Sequence, residues 1–448
     1  VKKTLRLAAA AALLPLAVGA CGSGDARSGQ ADGELTYWLW DSNQVPAYQA
    51  CATAFEAENP GTKIKIEQFG WADYWNKITT GLVAGNAPDV FVNHLNYYPT
   101  FAAKNQILPI DEQVEEAGIS TDVYPEGLAD VWVSQDGKRY GLPKDFDTIG
   151  IFYNKDLLAE AGVDESTLAD LTWNPEDGGT YEDLIAHLTV DANGVRGDEP
   201  GFDKSKVEVY GLGLDENNGA GVGQQIWSMY ALSTGWQFTD ENPWGSEFQY
   251  DDPRFQATIA WFKGLIDKGY MPDLATSRAG VSVNDAFGAG KYALSTNGSW
   301  MIGSYFGYDG VDVGVAPVPV GPSGERATIF NGVADSIYAG TDDKEGAWKW
   351  VEHLASADCQ KKVAEAAVVF PSLPEALEVA EEEFAAKGVD VSAFTLPIEE
   401  GATHLYPITD HAPEIAAIMG PAMDAVLAGE ADASSLTEAN EQVNALFQ

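Results

Sequence analysis

From residue 34 to residue 93 the chain alternates strand-like and helix-like patterns without interruption. Leu35-Thr36-Tyr37-Trp38-Leu39 reads as a strand. Pro46 to Asn59 carries helical spacing at Tyr48, Cys51, Ala52 and Phe55, and stops at the terminator Asn59-Pro60-Gly61. Ile64-Lys65-Ile66-Glu67 alternates as a second strand. Tyr74 to Ala84 is helical and ends at Gly85, and Asp89-Val90-Phe91-Val92 is a short apolar strand. Parallel strands need a crossover, commonly a helix, so this βαβαβ order predicts a mostly parallel sheet covered by helices. Ligands of such sheets sit beyond the carboxyl ends of the strands. That rule puts Trp40-Asp41-Ser42-Asn43 and Asn93-His94-Leu95-Asn96 at one mouth.

The alternation restarts after Pro143. Ile149-Gly150-Ile151-Phe152-Tyr153 reads as a strand, and Tyr181–Leu188, Gln224–Ser233, Gln256–Lys268, Asp343–Leu354 and Pro413–Leu427 read as helices. Asp191–Lys206 is polar and glycine-rich, hence a loop or hairpin tip. The chain has 448 residues, which suggests two to three domains. Its formal net charge of −42 repels phosphate backbones and anionic headgroups, which excludes nucleic-acid binding.

Lys2, Lys3 and Arg6 precede an uncharged, mostly apolar run from Leu7 to Ala20, then Val18-Gly19-Ala20-Cys21. A positive end, a short apolar stretch and small residues at the cleavage point make residues 1–20 a secretory signal. The run is too short to span a bilayer as a helix, which needs about 20 residues. Val-Gly-Ala-Cys resembles a bacterial lipobox, in which Cys21 would carry the lipid and begin the mature chain. Residues 21–33 are small and polar, a flexible tether from that anchor. The expected location is the outer face of the bacterial cytoplasmic membrane, held by the lipid alone.

Three cysteines are present. With Cys21 lipidated, Cys51 and Cys359 remain in an oxidising compartment, where they form either a disulfide or two separate buried thiols. The histidines show no metal-ligand spacing, and Gly219–Gly223 lacks the strand context of a dinucleotide loop. Asp191, Asn193 and Asp198 do not meet the calcium-loop pattern. No cofactor or metal is expected.

Several segments, taken in order, resemble the extracellular solute-binding proteins of ABC importers, in the sugar-binding branch akin to maltose-binding protein. They are Asn59-Pro60-Gly61 with Ile64-Lys65-Ile66, Gly85-Asn86-Ala87-Pro88-Asp89-Val90, and Leu142-Pro143 through Leu157. Asn297-Gly298-Ser299-Trp300 and Asn331-Gly332 through Trp350 complete the set. The resemblance implies a periplasmic-binding-protein-like α/β fold: two α/β lobes around a hinge and a ligand cleft, with multiple chain crossovers. The first lobe would hold 34–145 and 316–358, and the second 146–315 and 359–448. Cys51 and Cys359 would then lie in, or at the edge of, one lobe, in keeping with a disulfide.

A neutral sugar needs aromatic planes for its apolar face, and carboxylates and amides that each take two hydroxyls. The resemblance nominates Trp300 as a stacking ring, and Gln224 and Trp227 at the start of the 224–233 helix. It nominates Asp41 and Asn43 after the first strand, and Asn93, His94 and Asn96 after the third, where the sequence departs from the maltose-binding pattern. If residues 145–147 are extended, period two points the carboxylates of Asp145 and Asp147 to one face. Asn297, Asn331 and Tyr406 complete the candidates, with Asp410 and His411 as late contributors. Plainer readings stand beside these: Trp227 and Trp300 as core residues, Asp41 as a helix N-cap, His94 as a satisfied structural histidine, Asn331 as a turn residue. The expected function is capture of a carbohydrate, an oligosaccharide, by hinge closure, with delivery to the transmembrane subunits of an ABC permease. The expected state is a monomer without enzymatic activity. The rival classes are a secreted glycoside hydrolase and a receptor for a non-sugar solute. A phosphate ligand is disfavoured because the candidates are acids and amides, with no Lys or Arg among them.

Overall fold

The computed structural model describes residues 33–215, 221–279 and 281–448. The expected signal peptide, Cys21 and all of the tether but Gly33 lie outside the described residues. The opening alternation folds as read: β1 (Glu34–Leu39), α1 (Val45–Glu58), β2 (Lys63–Gln68), α2 (Trp71–Ala84) and β3 (Val90–Asn93). β1 pairs in parallel with both β2 and β3, so it lies inside the sheet. Its alternate residues Leu35, Tyr37 and Leu39 pack on Tyr48 and Phe55 of α1 and on Trp350. α2 stops at Gly85, whose φ of 81° lies in the left-handed region where a Cβ would be strained.

The second sheet begins after the chain crosses over. The crossing strand β4 (Asp145–Phe146) leads into β5 (Ile149–Asn154), followed by β6 (Val190–Asp191), β7 (Val207–Leu212), β8 (Tyr292–Gly298) and β9 (Val313–Pro317). Strands β5 to β9 form a sheet in the order β6-β7-β8-β5-β9. β5 is antiparallel to both of its neighbours and buried along its whole length. β10 (Thr328–Phe330) then leads to β11 (Ala334–Ile337), which returns to the first sheet and pairs antiparallel with β3. A third passage uses β12 (Phe370–Pro371), antiparallel to β4, and β13 (Thr403–Leu405) pairs in parallel with β10. Bridges Pro143↔Ala334 and Asp147↔Asn331 tie the first two passages together. The result is a two-lobe, periplasmic-binding-protein-like fold with three chain crossings side by side.

Two expected lobe boundaries fall inside single elements. The one at 315/316 divides β9, which pairs along its length with β5 of the second lobe. The crossing comes later, between β10 and β11. The one at 358/359 divides α3 (Ala357–Ala366). Cys359 on α3 belongs to the first-lobe core and is disulfide-bonded to Cys51 on α1, across 308 residues of sequence. Two separate buried thiols are thereby excluded. A cross-link over so long a loop restricts the unfolded chain, so Cys51→Ser with Cys359→Ser is expected to cost about 2–5 kcal/mol. Chemical denaturation of the double variant measures it, and an unchanged midpoint would count against a stabilising role for the bond.

Candidate functional site

A cavity of about 710 Å³ opens between the lobes, where the carboxyl ends of the first-lobe strands meet the crossing segments. Trp40, Asp41 and Asn43 reach it from the end of β1, and Trp71 from the start of α2, just past β2. His94, Asn96 and Tyr97 follow β3. The crossing strand contributes Asp145 and Asp147, both lining the cavity, as period two requires of an extended segment. Gln224, Trp300, Ser304, Asn331 and Tyr406 face them.

The carboxylates are held by neutral donors. Asp41 accepts the backbone N–H of Asn43 at 2.8 Å and Nε2 of Gln44 at 2.9 Å. It is a turn residue and not the expected helix cap, since the N-cap of α1 is Gln44. Asp145 accepts the N–H of Val333 at 2.9 Å, and Asp147 the hydroxyl of Ser299 at 2.9 Å. Burial pushes Asp145 up to about 7, against the opposing pull of Lys144 and the Val333 bond. Burial, and then the charge of Asp145, raises Asp147 well above the usual carboxylate range. Asp41 is also raised, chiefly by burial.

His94 is buried, and desolvation lowers its pKa to about 4, so it is neutral at physiological pH. Its Nδ1 accepts the backbone N–H of Asn96 at 3.1 Å, which puts the ring proton on Nε2. One end of the Asn331 amide meets Nε2 at 3.3 Å, and the amide oxygen suits that contact. The other end is left without a partner in the protein, as is Nε2 of Gln224. Both unpartnered atoms belong to residues that line the cavity, where a ligand could meet them. Asn96 in turn accepts the hydroxyl of Tyr406 at 2.6 Å, and Asn43 Nδ2 donates to Ser304 Oγ at 3.4 Å, so polar contacts span the cleft.

Aromatic surface is ample. Trp40 meets Trp71 edge-on at 5.0 Å, and Trp71 meets His94 at 5.7 Å. Trp71 is 46% exposed, which for an indole at a cleft mouth is an available stacking face. Trp300 is half-buried over Gly298, where a Cβ would lie 1.9 Å from its ring, which accounts for the glycine in Asn-Gly-Ser-Trp.

Five expected contacts are elsewhere. Trp227 is a core residue, packed on Phe255 at 5.0 Å and on Phe238 at 5.9 Å. The helix expected from Gln224 begins only at Ser228, so the preceding turn sends Gln224 to the cleft and Trp227 inward. Asn93 ends β3 pointing into the sheet, where its Nδ2 donates to Ser336 at 3.0 Å. Asn297 is spent on Asn284, to which its Nδ2 donates at 3.0 Å. Asp410 and His411 do not line the cavity, and Asp410 accepts from Gln135 at 3.0 Å. The residue missed most plainly is Trp71. The strand-end rule applied to β2 points to it, but the sequence pattern places the helix start three residues later, at Tyr74.

Among the described residues no group of three or more His, Cys, Asp or Glu is arranged to hold a metal ion, and no helix is long and apolar enough to cross a membrane. The chain is 25% identical over 355 residues to the maltodextrin-binding protein of Bacillus subtilis (strain 168), covering 78% of this chain and 75% of that one. It superposes on UspC of M. tuberculosis with a TM-score of 0.70 at 26% identity, covering 92% and 99% of the two chains. A Listeria monocytogenes ABC substrate-binding protein in complex with cycloalternan shares the fold, with a TM-score of 0.78 at 20% identity and 92% and 98% coverage. The bacterial extracellular solute-binding protein family matches residues 50–389, most of the chain, and this protein belongs to that family.

Proposed function

We propose that this protein captures a carbohydrate, an oligosaccharide, for an ABC importer and hands it to the permease. The observation that carries the reading is the cleft itself. Indoles of Trp40, Trp71 and Trp300 share one cavity with three carboxylates and the amides of Gln224 and Asn331. Flat apolar rings beside two-oxygen acceptors suit a sugar's two kinds of surface. The maltodextrin and cycloalternan ligands of the two relatives agree with this class. Closure would be a hinge motion at the three crossing segments. Tethering through a lipidated Cys21 would keep a monomeric receptor close to its permease.

A hydrolase would need carboxyl groups flanking the scissile bond. Asp145 and Asp147 instead project from one strand face, which favours binding without turnover. Thermal melts across a panel of oligosaccharides test the proposal, because a ligand bound only by the native state raises the melting temperature. No shift with any sugar, or turnover of a glycoside, would overturn it. Trp300→Ala is expected to weaken the best ligand by about five- to 150-fold, a stacking loss of roughly 1–3 kcal/mol. An unchanged Kd would remove Trp300 from the site.

A further inference from the structure

We propose that the cleft selects a carbohydrate bearing a protonated amine, which Asp41, Asp145 and Asp147 receive in the cavity shared with the indoles of Trp40 and Trp300. The inference rests on the carbohydrate reading and narrows it. Among the described residues, the cavity is lined by three carboxylates and by no Lys or Arg side chain. Lys144 is the nearest cation in sequence, but it is 3% exposed and does not line the cavity. Its ammonium is committed to the Tyr37 hydroxyl at 3.0 Å and to Asp335 at 3.5 Å. Every hydrogen bond described above to the three carboxylates comes from a neutral donor: two backbone N–H groups, the Gln44 amide and the Ser299 hydroxyl.

Sugar hydroxyls would add further neutral donors and leave Lys144, outside the cavity, to oppose the charge of Asp41 and Asp145. An ammonium brings three N–H donors and the opposite charge to a low-dielectric site, where both count for more than in water. The indoles add attraction, since their faces favour cations. A separate observation marks the cavity as built for a ligand: Asn331, only 3% exposed, keeps one end of its amide unpartnered there. The overall charge of −42 draws cations toward the protein and repels anionic sugars. The elevated pKa values of Asp145 and Asp147 agree, because they hold protons that an ammonium would displace. The other titratable groups near them are Asp41, Tyr48, Lys144 and Asp335, and His94 across the cavity is neutral.

The test is calorimetric titration with matched sugars. The panel holds the amine, hydroxyl, N-acetyl and uronate forms of the gluco, galacto and manno monosaccharides. It also holds β-1,4 oligomers of glucosamine, glucose and N-acetylglucosamine. In one series the amine is expected to bind about tenfold tighter or more than its hydroxyl parent, with the uronate excluded, and amine binding at pH 7 is expected to release protons. Asp147→Asn should shrink the amine-to-hydroxyl ratio toward one, and Asp145→Asn serves if the first variant does not fold. A neutral or anionic sugar as the best ligand of the panel overturns the amine proposal while the carbohydrate reading survives. Binding of no sugar at all overturns both.

Discussion

Replacing Asp145 with Asn is expected to raise the melting temperature of the unliganded protein at pH 8 and to leave it near wild type at pH 5. The sign follows from linkage. Asp147 and Asp145 have folded pKa values above those of the unfolded chain, so the native state holds more protons than the unfolded state between about pH 4 and the folded values. Stability from this pair is therefore greatest at low pH and falls as pH rises through about 7, where Asp145 titrates. His94 acts oppositely but lower, between about 4 and its unfolded 6.5, so it does not mask the pair at pH 7–8. At pH 5 the Asp145 carboxyl, raised to about 7, is protonated, and an amide of the same shape changes little. At pH 8 the amide removes a buried charge worth on the order of a few kcal/mol, and its oxygen can still accept from the Val333 N–H. The same change should weaken ligand, since function tends to hold such sites away from their stability optimum. Paired melts at pH 5 and pH 8 decide it. Equal shifts at both values, or destabilisation at pH 8, would remove the buried charge as the cause.

The reason these carboxylates could be found from sequence is local. Two-residue periodicity in an extended segment fixes which side chains share a face, and no distant contact is needed to place Asp145 beside Asp147. The opening βαβαβ order was legible on the same ground, because patterns of three to fourteen residues carry it. Strand ends were harder. The rule that ligands sit past the carboxyl ends locates a loop but not the direction of its side chains. Asn93 and Asn297, still within their strands, turn to structural partners, while His94 and Trp300, just beyond, reach the cleft. Trp227 went astray because the start of its helix is set by a turn at Gly223, where the indole fills the place of a Cβ at 2.0 Å. The lobe boundaries depend on pairings between segments far apart in sequence, such as β5 with β9, and periodicity does not register them.

The crossing strand also joins the cleft to the first-lobe core through Lys144, and its removal is expected to be the most destabilising single change. Lys144 and Asp335 form an ion pair at 3.5 Å with both side chains 2% exposed. The Tyr37 hydroxyl accepts from the ammonium and donates to Asp335 at 2.8 Å, and the ammonium lies 4.2 Å from the Tyr48 ring centre. Lys144→Ala leaves Asp335 charged, buried and without its counterion, at a cost of about 3–5 kcal/mol. Lys144→Met with Asp335→Asn removes both charges while keeping most of the volume, and should recover much of that loss. Denaturant midpoints of the two single variants and the double variant complete the cycle. A loss under about 1 kcal/mol for Lys144→Ala would mean that water already reaches the pair. The cleft supplies an independent readout. Lys144 pulls the Asp145 pKa down, so its removal should move that titration above 7. Ligand affinity would then change with pH over a higher range than in wild type, which a loss of stability alone would not produce.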